Sequence, residues 1–260
     1  GQSIYFESKR GKNFDYVHLS INSSLYSYEV INQNIERLVT DETFLRLDIS
    51  GNEDVNISNP FLLNDRLLAF YYSFVKLGDS SLLKPILVKG VKVINLVSQD
   101  YTFDIEFPIS TTVIRNRLNC QGNFLAIYLL KGNKSVIQIY KLEESSRQLV
   151  SEIQGMEGES MDLGDWNEYT QAFYISIKNN YTDNSKIISY NPSLDSTNVI
   201  FQTNGLFSTS PSRIDDKIYF IGNNRFDYDI YSYDIISKDL QQLTFDTLLK
   251  TDLSGPNVCE

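Results

Sequence analysis

Short apolar runs, each closed by a polar turn, recur along the whole chain. The clearest stretch is Ser210 to Asp246, SPSRIDDKIYFIGNNRFDYDIYSYDIISKDLQQLTFD. Pro211 removes a backbone donor and marks a strand start or edge. Asp215-Asp216 is a turn signal, because short carboxylate side chains satisfy nearby backbone amides. Lys217–Ile221 is aromatic and β-branched, a composition that fits a pleated surface. Gly222-Asn223-Asn224 forms a second turn. Asp229–Ile236 then alternates, with Ile230, Ser232 and Asp234 on one face and Tyr231, Tyr233 and Ile235 on the other. After the polar Ser237–Asp239, Leu240–Phe245 predicts a last short strand. The stretch is all strands and turns, with no room for a helix.

The same text appears near the N-terminus. Ser24–Asp41 (SLYSYEVINQNIERLVTD) aligns without a gap to Asp229–Asp246, with Tyr26, Ser27, Tyr28, Ile31, Leu38 and Asp41 matching Tyr231, Ser232, Tyr233, Ile236, Leu243 and Asp246. Weaker copies are Ile137–Leu142 and Ile187–Asn191, and a degenerate copy falls within Leu82–Ser98. The marker tyrosines are Tyr28, Tyr140, Tyr190 and Tyr233. A period of roughly 40–55 residues built from short strands is the pattern of a β-propeller, one sheet per repeat. The repeats run approximately over 1–41, 42–98, 99–155, 156–205 and 206–246, followed by a tail over 247–260, and they read as one domain.

The register of the first repeat is open. Ile4–Ser8 and Tyr16–Ile21 serve as its second and third strands, or else Tyr16–Ile21 and Ser24–Val30 do and Ile4–Ser8 is innermost. In the second repeat Asn59-Pro60 stands where Ser210-Pro211 stands, and Val91–Val97 reads as an outer strand. In the tail, Ser254-Gly255-Pro256 resembles another repeat opening. This predicts that Asp252–Val258 pairs with the N-terminal repeat and removes an exposed sheet edge.

Ser210–Asp246 resembles the repeat of TolB-like propellers, a WD40-like group. The residues that carry the resemblance are Ser210-Pro211, Asp216, Ile218-Tyr219-Phe220, Arg225, Asp229-Ile230-Tyr231, Asp234 and Leu243-Thr244. Ile4–Ser8, Arg10 and Gly11 fit the second-strand segment of the same repeat. The tryptophan and glycine common in that family's first turn are absent. The resemblance implies an all-β propeller, five-bladed with six as the alternative, closed by pairing of its terminal strands. It also implies a non-catalytic scaffold that binds protein partners at its disc faces. Its implied location is periplasmic, at the cell envelope or secreted, in a bacterium.

Composition agrees with strands: 42% of residues are hydrophobic and 13% aromatic, enough for a packed interior. A net charge of −10 argues against nucleic acid or an anionic membrane surface as partner. No apolar run approaches the ~18 residues that span a bilayer, so membrane insertion is not expected. Neither Cys120 nor Cys259 sits in a CxxC pair, and a link between them would have to cross the disc, so an intramolecular disulfide is not expected.

Candidate chemistry is sparse. His18 is the only histidine and lies in strand-like sequence, and no G-x-S-x-G elbow accompanies it. A zinc site lacks ligands. No cofactor is expected, though calcium needs only oxygen donors. Asp227-Tyr228-Asp229, Asp215-Asp216 and Asp162 with Asp165 could supply them, or could cap their own loops. The alternative function is a glycosidase-like propeller hydrolase with acidic residues at the central channel, but no carboxylate pair is singled out by its surroundings. Hydrolases with a propeller beside a catalytic domain need more chain than this. The candidate interaction loop is Arg225, Phe226, Asp227 and Tyr228, since arginine and aromatics on a turn suit a protein interface. Packing of Phe226 and Tyr228 between sheets is the competing reading.

Overall fold

The computed structural model describes residues 3–8, 24–29, 34–39, 55–63, 67–76, 86–95, 101–143, 146–182, 184–204, 206–223 and 228–245. These residues form strands and turns and contain no helix. The chain divides into two compact units, Gly1–Thr111 and Thr112–Glu260.

The first unit holds two sheets. One has three strands, β1 (Ser3–Ser8), β2 (Ser24–Glu29) and β3 (Asn34–Val39), in that order. The other is a four-stranded meander of β4 (Val55–Leu63), β5 (Leu67–Lys76), β6 (Ile86–Asn95) and β7 (Tyr101–Glu106). Tyr72 of β5 crosses over Gly90 of β6, where an added Cβ would lie 2.7 Å from its hydroxyl, and donates to Asp104 of β7 at 2.6 Å. Lys92, almost fully buried, reaches the same carboxylate at 3.0 Å.

The second unit stacks three more meanders. They are β8 (Thr111–Leu118), β9 (Phe124–Lys131), β10 (Lys134–Glu143) and β11 (Ser146–Gln154); β12 (Glu159–Asn167), β13 (Ala172–Asn179), β14 (Asn184–Asn191) and β15 (Ser196–Asn204); and β16 (Phe207–Ile214), β17 (Lys217–Asn223), β18 (Tyr228–Asp234) and β19 (Leu240–Gln242). Side-chain alternation explains the stacking. Phe173, Ile175 and Ile177 of β13, with Ile188 and Tyr190 of β14, pack against Phe124, Ala126 and Tyr128 of β9 and Ile137 and Ile139 of β10. The intervening Tyr174 and Ile187 face the other way, into a cluster with Phe201, Ile218, Phe220, Tyr231 and Tyr233. The middle sheet is therefore buried on both faces, and each buried isoleucine and phenylalanine here contributes on the order of 1.5–3 kcal/mol.

The repeat reading survives in register. Three of the marker tyrosines, Tyr140, Tyr190 and Tyr233, stand in third strands, β10, β14 and β18, and Tyr28 stands in β2, the middle strand of the three-stranded sheet. Ile4 pairs with Tyr28 as Ile218 pairs with Tyr233, and Tyr28 pairs with Ile35 as Tyr233 pairs with Leu240. In the first repeat, whose register was open, Ile4–Ser8 and Ser24–Glu29 are neighbouring strands, a pairing that neither alternative gave. Tyr16–Ile21 lies outside the described residues. One strand expectation is corrected. Val91–Val97 overlaps β6, which is a third strand, and the outer place belongs to β7. The β-branched run of β6 is central because both neighbouring strands hydrogen-bond to it.

Cysteine pairing is also corrected. Cys120 is disulfide-bonded, and Cys259 lies outside the described residues. The expectation rested on a link having to cross the disc, and the bond at Cys120 overturns it.

Candidate functional site

The first strands of the stacked sheets look polar in sequence yet are buried. Two of them carry a bulge at the same place, between Leu163 and Trp166 in β12 and between Thr209 and Ser212 in β16, and β4 of the first unit carries the same bulge between Ser58 and Phe61. Asn59-Pro60 and Ser210-Pro211 are thus equivalent, as their sequences suggested, and Gly164-Asp165 is the third member. Ser210 adopts a left-handed φ of 49°, unusual for a residue with a side chain. Its amide donates to the Asp162 carboxylate of β12 at 2.7 Å, which holds it there.

A charged ladder links these strands. Arg115 of β8 donates to the Leu163 carbonyl and to the Ser210 hydroxyl, each at 3.0 Å, and to Asp162 at 3.4 Å. Arg117 of β8 donates to Asp165 at 3.0 Å, with both side chains about 90% shielded. Asn167 of β12 donates to the Arg213 carbonyl of β16 at 3.4 Å. The close approach of strands at the bulge needs Gly164, since a Cβ there would fall 2.0 Å from the Pro211 carbonyl oxygen. Beside this ladder, burial pushes the Tyr128 phenol above its ordinary range.

These contacts run in parallel from β8 to β12 to β16. The turns after each first strand therefore lie on one side of the second unit, together with the turns between third and fourth strands. That side exposes Tyr169, Leu194 and Ile236, at 88%, 73% and 72%. The Tyr169 turn is rigidly built. Asn167 accepts from the Thr170 amide and hydroxyl, both at 2.9 Å; Glu168 accepts from Trp166 Nε1, Gln121 and Gln171; and the Arg213 guanidinium lies 5.8 Å from the Tyr169 ring centre. The opposite side exposes Met156 and Tyr181, with the tyrosine ring laid over Gly158.

The residues singled out in the sequence fall as follows. Arg225, Phe226, Asp227 and His18 lie outside the described residues. Tyr228 opens β18 and is half-buried opposite Asn223. Asp229 accepts from Thr244 at 2.9 Å and Gln242 at 2.8 Å, tying β18 to the segment that carries Leu243-Thr244. The Asp-Ile-Tyr and Leu-Thr elements of the repeat are therefore two halves of one polar clamp. Asp162 and Asp165, grouped as oxygen donors, each hold an arginine. Among the described residues no group of three or more His, Cys, Asp or Glu side chains is placed to hold a metal. Arg115 and Arg117 were missed. Their one signal was a pair of arginines two residues apart in a short strand-like segment, Thr111–Leu118 (TTVIRNRL).

Stacked four-stranded meanders joined through their first strands define an all-β protein of the β-propeller class, and its fold is that of TolB-like propellers. Among solved structures it is similar to TolB from Acinetobacter baumannii, with 12% identity and a TM-score of 0.57 over 89% of this chain and 50% of that one. It is also similar to the β-propeller domain of the Trilobed protease from Pyrococcus furiosus, described as having an open velcro topology, with 18% identity and a TM-score of 0.50 over 76% and 59%. A puromycin hydrolase matches with 9% identity and a TM-score of 0.60 over 85% of this chain and 35% of that one. The chain thus spans half of that TolB and about a third of that hydrolase. No protein-family profile and no curated protein matches the sequence.

Proposed function

We propose that this chain is a non-catalytic, protein-binding or scaffold β-propeller, exported in a bacterium, with five blades. The observation that carries the reading is the contrast between its polar strands and its turns. The charged side chains of the first strands are engaged with one another, while the turns present large apolar side chains to solvent. Aromatic and aliphatic anchors on rigid turns suit protein contacts. The disulfide at Cys120 supports an oxidising compartment.

Five sheets among the described residues support the count of five blades. The sheet formed by β1, β2 and β3 matches the second, third and fourth strands of the β16–β19 sheet in register, with no further strand paired to β1 among the described residues. Asp252–Val258, with its Ser254-Gly255-Pro256 opening, lies outside the described residues and is the segment expected to pair with this sheet in this reading.

A second reading draws on the peptidase neighbours. The chain covers 35% of puromycin hydrolase and 34% of a prolyl endopeptidase, which is the share an accessory propeller would occupy. The glycosidase-like reading would need Asp162 or Asp165 released from its arginine.

The test compares purified protein with its Asp162→Asn and Asp165→Asn variants on aryl glycosides and chromogenic peptides. In parallel, crosslinking in a bacterial envelope fraction compares the wild type with Tyr169→Ala/Ile236→Ser. The expected result is no turnover, and crosslinks to a defined partner that the turn variant loses. Turnover abolished by Asp165→Asn would overturn the binding reading.

A further inference from the structure

We propose that the turn side of the two sheets β12–β15 and β16–β19 docks a basic protein surface, an apolar patch ringed by lysine and arginine. The inference rests on the protein-binding reading above and names the class of partner.

Three turns on that side share one construction. Each opens on a short amide or carboxylate side chain that accepts backbone amides two or three residues on. Asn167 accepts from the Thr170 amide at 2.9 Å, and Asn191 from the Ser193 and Leu194 amides at 2.9 and 3.1 Å. Asp234 accepts from the Ile236 and Ser237 amides, both at 2.9 Å. Each turn closes on a left-handed residue other than glycine: Gln171, Asp195 and Lys238, at φ of 50°, 45° and 66°. The side chain that each turn holds outward is large and apolar, Tyr169, Leu194 or Ile236.

The two sheets share a frame beneath these anchors. Arg213 donates to the Asp215 carbonyl at 2.7 Å and to the Tyr174 hydroxyl at 3.1 Å. It also pairs with Asp216 at 3.6 Å and lies 5.8 Å from the Tyr169 ring centre. The Asp216 carbonyl in turn accepts from the Ile235 amide at 2.8 Å, next to Ile236. Contact through Tyr169 and Ile236 therefore orders little that is not already ordered, which lowers the entropic cost of docking.

Charge decides what docks. The Arg213 side chain is turned inward and only 10% exposed. Around the anchors Asp195, Asp215, Asp216 and Asp239 are exposed, against Lys217 and Lys238. Lys217 stands opposite Asp234 in the strand pairing, so a carboxylate answers it locally. The whole chain carries a net charge of −10. A second copy docking by this side would press the same carboxylates against their own kind, and an acidic partner would meet the same repulsion. A basic surface is attracted from a distance and oriented on arrival, while its apolar patch receives the anchors.

The test titrates the isotope-labelled full chain with three short synthetic peptides that stand in for the partner surface. Each alternates leucine and tryptophan with one polar residue: lysine, glutamine or glutamate. The lysine peptide is expected to bind, to shift amide resonances at 167–171, 191–195 and 234–239, and to weaken as salt is raised. Tyr169→Ala should weaken it about tenfold or more, and Asp215→Asn/Asp239→Asn about threefold to tenfold, with thermal melts unchanged. Equal, salt-independent binding of the glutamine peptide at the same turns would overturn the basic class and leave the docking reading standing. Shifts elsewhere only, or none with any peptide, would overturn both. Sedimentation of the unbound chain completes the test. A dimer that Tyr169→Ala dissociates would assign these turns to a second copy and overturn the basic partner.

Discussion

The first and fourth strands of each stacked sheet invert the usual relation between polarity and burial. In β12, Asp165 is buried among apolar neighbours and answered by Arg117. In β15 Val199 stands 59% exposed, and in β11 Leu149 is exposed as well. A buried charge costs several kcal/mol unless paired, so the first strands persist only as a mutually satisfied set. The fourth strands lie at the sheet edge and expose side chains such as Val199 and Leu149, while single residues such as Phe201 still reach the core. The difference teaches that the first strands add a paired polar set to the apolar packing between the stacked sheets, which draws on Met161 and Leu163 of β12 as well as on the second and third strands.

Breaking one partner of the ladder tests that contrast most severely. Arg117→Met leaves Asp165 buried without its cation and is expected to cost about 3–5 kcal/mol in denaturant unfolding, whereas Arg117→Met/Asp165→Leu recovers most of it. A double variant as damaged as the single would show that the pair has no coupled role. Gly164→Ala should cost about 3 kcal/mol, because its methyl would enter the Pro211 carbonyl and force β12 and β16 apart. Asp229→Ala removes the acceptor for Thr244 and Gln242 and is expected to cost about 2 kcal/mol, with faster amide exchange in β19.

The smallest effects belong to the rim. Glu152, bonded by Lys131 at 2.7 Å and Gln138 at 2.6 Å, has its carboxyl held down to about 2. A depressed carboxyl stabilises the fold above its unfolded value near 4.5, and that contribution is lost as pH falls from there toward 2. The pair is partly exposed and screened, so Glu152→Gln should cost less than about 1 kcal/mol at pH 7 and nothing measurable near pH 2. Val199→Ser should stay within about 0.5 kcal/mol at any pH. A fourth-strand change as costly as Gly164→Ala would erase the distinction between the strands.

How much was legible follows the same division. Second and third strands such as Lys217–Ile221 and Asp229–Asp234 announced themselves by alternation and by the repeated Tyr-Ser-Tyr text. The Asn59-Pro60 and Ser210-Pro211 equivalence was readable because proline at a strand bulge is a backbone constraint written in one residue. Asp162, Asp165 and Asp229 were visible as carboxylates, but their partners were not. Arg115 and Ser210 are 95 positions apart, and nothing in either neighbourhood names the other. Tyr169 was unremarkable in sequence. Its exposure and rigidity come from Asn167, Glu168 and Arg213 meeting around one turn.

The sequence by itself determined an all-β chain, its repeat, its third strands and its acidic charge, because these depend on periodicity and on short-range backbone chemistry. Tertiary structure alone decided which polar residues are buried, which arginine answers which aspartate, where the bulges bring first strands into contact, and that Cys120 is not free. Those outcomes depend on distances between residues far apart in the chain, and such distances exist only once the sheets have stacked.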